Sequence, residues 1–195
     1  MNQNSDTLRK IARQKGVEAR NGLLPDERKS LSSEITEQII NSEEFLQAKT
    51  IMVYRAINGE VSLYSLIEAP VSREKIFVYP FCVNKTEMLA LYPHGADSWK
   101  KGSYGIMEPS PEMSDQIDPA DIDMVICPCT TFDEECNRMG MGAGYYDRFL
   151  PKCTKAVIAS VAFEAQKISK VPSNSHDKPM DLTYTEKTIY RNNIL

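Results

Sequence analysis

Gly140, Gly142 and Gly144 occupy alternate positions in the stretch RMGMGAGYYDRF, which begins at Arg138. Alternating glycine makes poor helix and poor strand, because each residue adds backbone entropy and brings no side chain to pack. It does let backbone N–H groups come close to an anion. Phosphate is the expected guest: Arg138 offers a charged fork, and the helix start in GYYDRFL offers unpaired N–H groups and the positive end of a dipole. The spacing is neither the dinucleotide GxGxxG nor the P-loop, which needs Gly-Lys-Ser/Thr. A glycine-rich turn demanded by close packing is the competing reading. Asp147, in the first turn of that helix, reads from its position as a dipole complement.

Other residues with chemical potential are fewer. Glu60 follows the apolar run TIMVY and stands just before VSLYSLI, where an acid at a helix start is the ordinary explanation. Residues 1–20 carry five bases, Arg9, Lys10, Arg13, Lys15 and Arg20, which on a helix read first as a solvated face. His94 and His176 are the only histidines and have no catalytic partner in sequence. The five cysteines are odd in number and fit no zinc spacing, so they read as small core residues.

The elements that must position these groups follow from periodicity. Ser5 or Asp6 can cap a first helix running to about Arg20, with Leu8, Ile11 and Ala12 on one side. Pro25-Asp26-Glu27 is a start signal for a second helix that carries Leu31, Ile35 and Ile39 inward. Short β-branched runs then dominate: TIMVY (50–54), KIFVY (75–79), MLALY (88–92), DMVIC (123–127) and AVIASVA (156–162), with a helix expected around 61–69. Helices alternating with nearly continuous apolar strands predict an α/β sheet covered on both faces. The glycines then fall on a strand-to-helix connection, where such sheets bind ligands. Residues 108–120, with three prolines and several acids, read as a solvated loop inside one domain spanning 1–195.

Bulk properties narrow the function. The chain has 195 residues, 42% of them hydrophobic, and a net charge of −4, which argues against broad nucleic-acid binding. No apolar run approaches a membrane span and the first residues lack a secretory signal, so a cytoplasmic protein is expected.

The stretch from Arg138 to Arg148 resembles the signature of the 5-formyltetrahydrofolate cyclo-ligase family, also called 5,10-methenyltetrahydrofolate synthetases, approximately R-[LM]-G-x-G-x-G-Y-Y-D-R. The likeness includes Leu8-Arg9 in the basic helix, YRAINGEVSL from Tyr54, YGIMEP at 104–109, CPCTTFD at 127–133 and HDKPMDLTYTE at 176–186. It implies ATP-dependent closure of 5-formyltetrahydrofolate to 5,10-methenyltetrahydrofolate, with release of ADP and phosphate. The fold it implies is a three-layer α-β-α sandwich with a mostly parallel sheet, like that of ribose-phosphate isomerases and coenzyme A transferases. The resemblance places ATP on Arg9, Arg138, Met139, Gly140, Met141, Gly142, Ala143, Gly144, Tyr145 and Tyr146. It gives Arg138 and Tyr145 catalytic roles, and sets the folate on Arg55, Glu60, Tyr104 and Tyr145. Magnesium would sit on Asp147 and Asp181, with Asp177 as competitor for the second place. Small-molecule substrates and a monomer are expected, with no nucleic-acid or membrane partner.

The sequence departs from the family in places. Ser5 stands where a lysine is expected, Cys129 and Cys136 where glycine is usual, and Met141 and Ala143 where some relatives carry bases. Trp99 has no family counterpart and reads as packing or surface. Two other readings compete: a sugar-phosphate isomerase-like enzyme of the same fold, and a non-catalytic folate- or nucleotide-binding relative.

Overall fold

The computed structural model describes residues 3–102, 105–172 and 177–192. Helix α1 spans Gln3–Gly22, α2 Pro25–Ile40 and the short α3 Glu43–Gln47. Strand β1 (Thr50–Met52), helix α4 (Tyr64–Glu68), and strands β2 (Ile76–Cys82) and β3 (Met88–Pro93) follow. Next come β4 (Trp99–Lys101), β5 (Met107–Pro109), β6 (Ser114–Ile117), β7 (Met124–Pro128), β8 (Thr131–Phe132) and β9 (Arg138–Met139). Helix α5 (Tyr145–Phe149) and strands β10 (Val157–Val161), β11 (Leu182–Tyr184) and β12 (Ile189–Arg191) complete the order.

Eight strands form one sheet in the order β12-β11-β10-β7-β1-β2-β3-β6. The five strands from β11 to β2 run parallel; β12 on one edge and β3 on the other run against them, and the edge strand β6 pairs antiparallel with β3. Parallel strands buried on both faces must be apolar throughout, and β7 shows why. Its Met124 and Ile126 face a core completed by Ile35 and Ile39 of α2, Phe45 of α3 and Leu66 of α4. Its Val125 and Cys127 face a second core with Phe149 of α5, Leu150 and Cys153. The first layer is thus built from helices. The second is thinner, one short helix continued by a 3-10 turn at Leu150–Lys152.

Helix α2 begins where the sequence signals it. Pro25 stands in its first turn, and the Glu27 carboxylate accepts from the Leu24 N–H at 3.2 Å, which closes the helix start. Helix α1 differs from expectation in its face. Ala12 is buried, but Leu8 and Ile11 are 50% and 45% exposed. The reason is that α1 packs not on the sheet's apolar face but across β8 and the turn at Glu164–Gln166. Gly16 makes that approach close, since a β-carbon there would overlap the Thr130 carbonyl.

Two further readings are corrected. The expected helix over 61–69 is one turn, α4, halted ahead of Pro70. The acidic segment 108–120 is not a loop throughout: it holds the end of β5 and all of β6, which pairs with β3 as an edge strand. Acids on an exposed sheet edge discourage pairing with other chains, so charge and strand are compatible there.

Candidate active site

A cavity of about 910 Å³ opens at the carboxyl ends of β1, β2 and β7, and the β4–β5 hairpin forms one of its walls. Ligand sites of open α/β sheets lie at this end.

One side of the cavity is basic. The β8–β9 hairpin, pinned by the Thr130 hydroxyl on the Met139 carbonyl (2.7 Å), delivers Arg138 and the glycine loop to the rim. Gly142 (φ +102°) and Gly144 (φ +69°) take left-handed backbone that a side chain would strain. The loop's carbonyls are held by the protein's own cations: Arg13 Nε donates to Gly140 (3.0 Å) and an Arg148 nitrogen to Ala143 (2.9 Å). Arg138 is 8% exposed, donates to Asp147 (3.1 Å) and to the Pro128 carbonyl (3.4 Å), and lies over the Tyr146 ring at 5.4 Å. Arg9 forms an ion pair with Asp177 and donates to the Pro172 carbonyl at 2.8 Å. Burial, and then the neighbouring Arg9 charge, hold the Arg13 guanidinium below its ordinary value. So much positive charge in one wall favours a polyanion.

The opposite side is aromatic and holds one carboxylate. Arg55 stacks its guanidinium 4.9 Å from the Trp99 ring centre, and Tyr79 meets Trp99 edge-on at 4.8 Å. Glu60 closes a turn through Asn58 (φ +48°) and Gly59 (φ +76°), with its N–H on the Ile57 carbonyl at 2.9 Å. Its side chain is 7% exposed; Oε2 accepts from the Ile57 N–H at 3.1 Å, and Oε1 stands 3.9 Å from Arg20. Burial pushes this carboxyl above the usual carboxylate range, against the pull of that N–H and the Arg20 charge.

The cavity therefore gathers Arg9, Arg55, Glu60, Arg138, Gly140, Met141, Gly142, Ala143, Gly144, Tyr145, Tyr146 and Asp147, all singled out from sequence. Tyr104 lies outside the described residues. Three expectations need correction. Met139 is 1% exposed and packs with Ala12 and Val171, because its place in β9 turns it into a small core rather than the cavity. Asp181 is remote: its backbone N–H bonds the Ile158 carbonyl and its carboxylate accepts from the Ile158 N–H at 2.7 Å, at the amino end of β10 and β11. Asp177, the weaker candidate in sequence, is the acid in the cavity wall. Finally, α5 is too short for its dipole to matter greatly, so arginines supply the positive field.

Sequence reasoning missed Trp99, Tyr54 and Arg20. Arg20 was legible in principle, since Arg9, Arg13, Gly16 and Arg20 fall on one face of α1 at helical spacing. Nothing in sequence announced Trp99, which is brought in by the β4–β5 hairpin. Both tyrosines line the cavity, and the Tyr145 hydroxyl donates to the Asn84 carbonyl (2.8 Å). The Tyr146 hydroxyl is buried and has no hydrogen-bond partner among the described residues.

Asp147 and Asp177 suit a magnesium ion, which takes one or two carboxylates and completes its shell with phosphate oxygens and water. Among the described residues no cluster of three or more His, Cys, Asp or Glu could hold a metal without such help. No helix among them is long and apolar enough to cross a membrane.

The cavity at the carboxyl end of this mostly parallel α/β sheet sets a basic glycine loop opposite a buried carboxylate. Residues 3–186 match the 5-formyltetrahydrofolate cyclo-ligase family, and the chain belongs to it. The 5-formyltetrahydrofolate cyclo-ligase of Haemophilus influenzae is 29% identical over 152 residues, covering 75% of this chain and 80% of that protein. The Mus musculus enzyme of the same name is 26% identical over 170 residues, covering 82% and 84%. The NMR structure of Aquifex aeolicus 5,10-methenyltetrahydrofolate synthetase superposes with a TM-score of 0.84 at 31% identity, over 95% of this chain and 93% of that one.

Proposed function

We propose that this cavity closes 5-formyltetrahydrofolate to 5,10-methenyltetrahydrofolate at the expense of ATP. The observation that carries the reading is the juxtaposition in one cavity of the arginine-held glycine loop and the buried Glu60 beside Trp99. A formyl amide is a poor electrophile. Its oxygen attacks the γ-phosphorus of ATP, ADP leaves, and the formyl carbon becomes electrophilic. N10 of the folate then bonds to that carbon and loses its proton to solvent, the carbon–oxygen bond breaks, and the oxygen departs with phosphate.

Each wall has a task in that sequence. The glycine loop with Arg9, Arg13 and Arg138 binds the triphosphate and offsets charge spreading over the transferred group. Glu60 accepts N–H donors of the pterin edge, and the Trp99–Arg55 pair offers a flat cationic surface to the rest of the folate. Asp147 and Asp177 would hold magnesium, which supplies charge neutralisation to phosphate oxygens when bound. Water is kept from the reacting carbon by the apolar surroundings of Tyr54, Tyr79 and Met88.

The test is incubation with 5-formyltetrahydrofolate, ATP and magnesium, following methenyl absorbance and ADP together. Both products should rise in equal amounts, and neither should form at full rate without nucleotide. Ring closure at full rate without ATP would return the chain to the isomerase-like reading. Binding of both ligands without turnover would return it to the non-catalytic one.

A further inference from the structure

Among the described residues Arg20 is the largest fully buried side chain, 1% exposed, and it stands behind Glu60 of the cavity wall. Among the described residues neither its Nε nor its Nη1 finds a hydrogen-bond acceptor. A buried guanidinium is retained when its charge is used. Among the described residues the carboxylate with which it forms an ion pair is Glu60, and the 3.9 Å gap is beyond hydrogen-bond range. That distance has a chemical meaning. Glu60 Oε2 is occupied by the Ile57 N–H, whereas Oε1 receives charge stabilisation from Arg20 without surrendering its lone pairs. Those lone pairs remain for donors arriving with the substrate.

We propose that Arg20 is a positioning residue that keeps Glu60 ionised and its Oε1 available as acceptor, so that α1 serves both substrates, Arg9 and Arg13 toward the nucleotide and Arg20 toward the folate. The proposal rests on the assignment of the Glu60 wall to folate. The other groups acting on Glu60 are few. The phenols of Tyr54 from the end of β1 and Tyr146 from α5 lie within its field. Arg28 of α2 lies beneath the adjoining Gly59, its guanidinium about a van der Waals contact from where a β-carbon would stand, and its Nη1 is engaged by the Leu23 and Arg20 carbonyls. Both phenols stay neutral well above neutral pH because burial lifts them. Among the described residues Arg20 is thus the cation paired with Glu60, and its charge adds to the Ile57 N–H in opposing the burial of that carboxylate.

The rigid seat of α1 makes this more than proximity. Gly16 presses against Thr130, one turn from Arg20, and α1 is fixed to the end of β7 at that point. The position of the guanidinium relative to Glu60 is therefore set by a backbone contact of α1.

The experiment is titration of 5-formyltetrahydrofolate into wild type and Arg20→Met across pH 5.5 to 9, both proteins against the same ligand so that its own ionisation cancels. Wild type should bind over the whole upper range. Arg20→Met should lose affinity on the acidic side and recover it on the alkaline side, with the midpoint moved up by about one pH unit or more, a tenfold change in the carboxyl's proton affinity per unit. Arg20→Gln, which keeps polar packing but drops the charge, should give the same shift and carries the test if the methionine variant does not fold. Arg20→Lys should restore the wild-type midpoint. In a Glu60→Gln background, Arg20→Met should produce no further pH dependence. A variant that binds more weakly by the same factor at every pH would overturn the proposal, because that is what a purely structural arginine would do. Failure of wild type to bind the folate would overturn the underlying assignment instead.

Discussion

Each titratable side chain in the cavity makes a separate claim. Glu60→Gln replaces two acceptors with one acceptor and one mismatched donor, leaving a pterin N–H unpaired. That should cost about 1–3 kcal/mol, roughly ten- to a hundredfold in folate affinity, with nucleotide affinity nearly unchanged. Calorimetric titration of each ligand separately decides, and equal losses for both would mean a folding defect. The acids make a sharper pair. Asp147→Asn and Asp177→Asn should depress kcat at limiting magnesium, since each removes charge from the wall that meets the phosphates. Asp181→Ala should leave kcat unchanged while lowering stability by about 1–3 kcal/mol, because it strips the Ile158 N–H of its acceptor. Denaturant midpoints beside magnesium-dependent kinetics separate the two effects. Sequence alone ranked these acids the other way. HDKPMD offers two carboxylates four residues apart, and only the strand start at Leu182 shows that the second is committed to the amino end of the sheet. Arg138 and Asp147 were legible because they flank one continuous glycine motif and lie only nine positions apart. Trp99 was not, since it reaches the cavity through a hairpin whose pairing no local pattern announces.

Elements place these side chains, and α1 is the one with most depending on it. Of its predicted apolar face, Leu8 and Ile11 are half exposed and Ala12 is buried, lying with Gly16 on a stripe of arginines that turns inward. Amphipathic reasoning assumes that the buried face is the apolar one. It fails here because the surface beneath α1 is a hairpin of backbone carbonyls at the end of the sheet, which arginines satisfy and leucines cannot. The central strands, buried on both faces, were readable as unbroken apolar runs; β11, β12 and the short hairpins, three residues or fewer, lay below the resolution of any periodicity. Gly16→Ala tests the docking of α1. Alanine improves helix propensity by about 1 kcal/mol, yet the β-carbon meets the Thr130 carbonyl, and overpacking of this kind typically removes about 1–3 kcal/mol. Net destabilisation with weaker nucleotide binding is expected. Gly22→Ala, where nothing lies within 4 Å of the added carbon, should be neutral or stabilising in the same denaturation series.

At the scale of the whole molecule, acid stability depends on carboxylates outside the cavity. Burial works to raise Asp123, but Lys155 and the N–H groups of Thr50 and Lys49 outweigh it and hold the folded value below the ordinary one. Glu44 beside Arg191, and Glu164 among Lys167, Tyr190 and Thr185, are depressed in the same net sense against their burial. A folded value below the unfolded one gives stability that is fully present above about pH 4 and is lost as pH falls through the folded values. Glu60 works in the opposite sense: its raised value favours folding as pH falls and opposes it once the carboxyl ionises. Urea midpoints should therefore be nearly flat through neutrality and fall below about pH 4, and Asp123→Asn should flatten that acid limb. The ion pair between Arg9 and Asp177 has a consequence for biosynthesis. These partners are 168 residues apart, so the nucleotide wall is closed by segments made first and nearly last. A nascent chain that has already emerged through the glycine loop still lacks the carboxylate that seats α1. At about 5–20 residues per second the stretch from Gly144 to Asp177 takes roughly two to seven seconds to synthesise. During that interval the basic helix, with Leu8 and Ile11 on its outer side, lacks its Asp177 partner, and this part of the cavity wall is closed only when translation has almost ended.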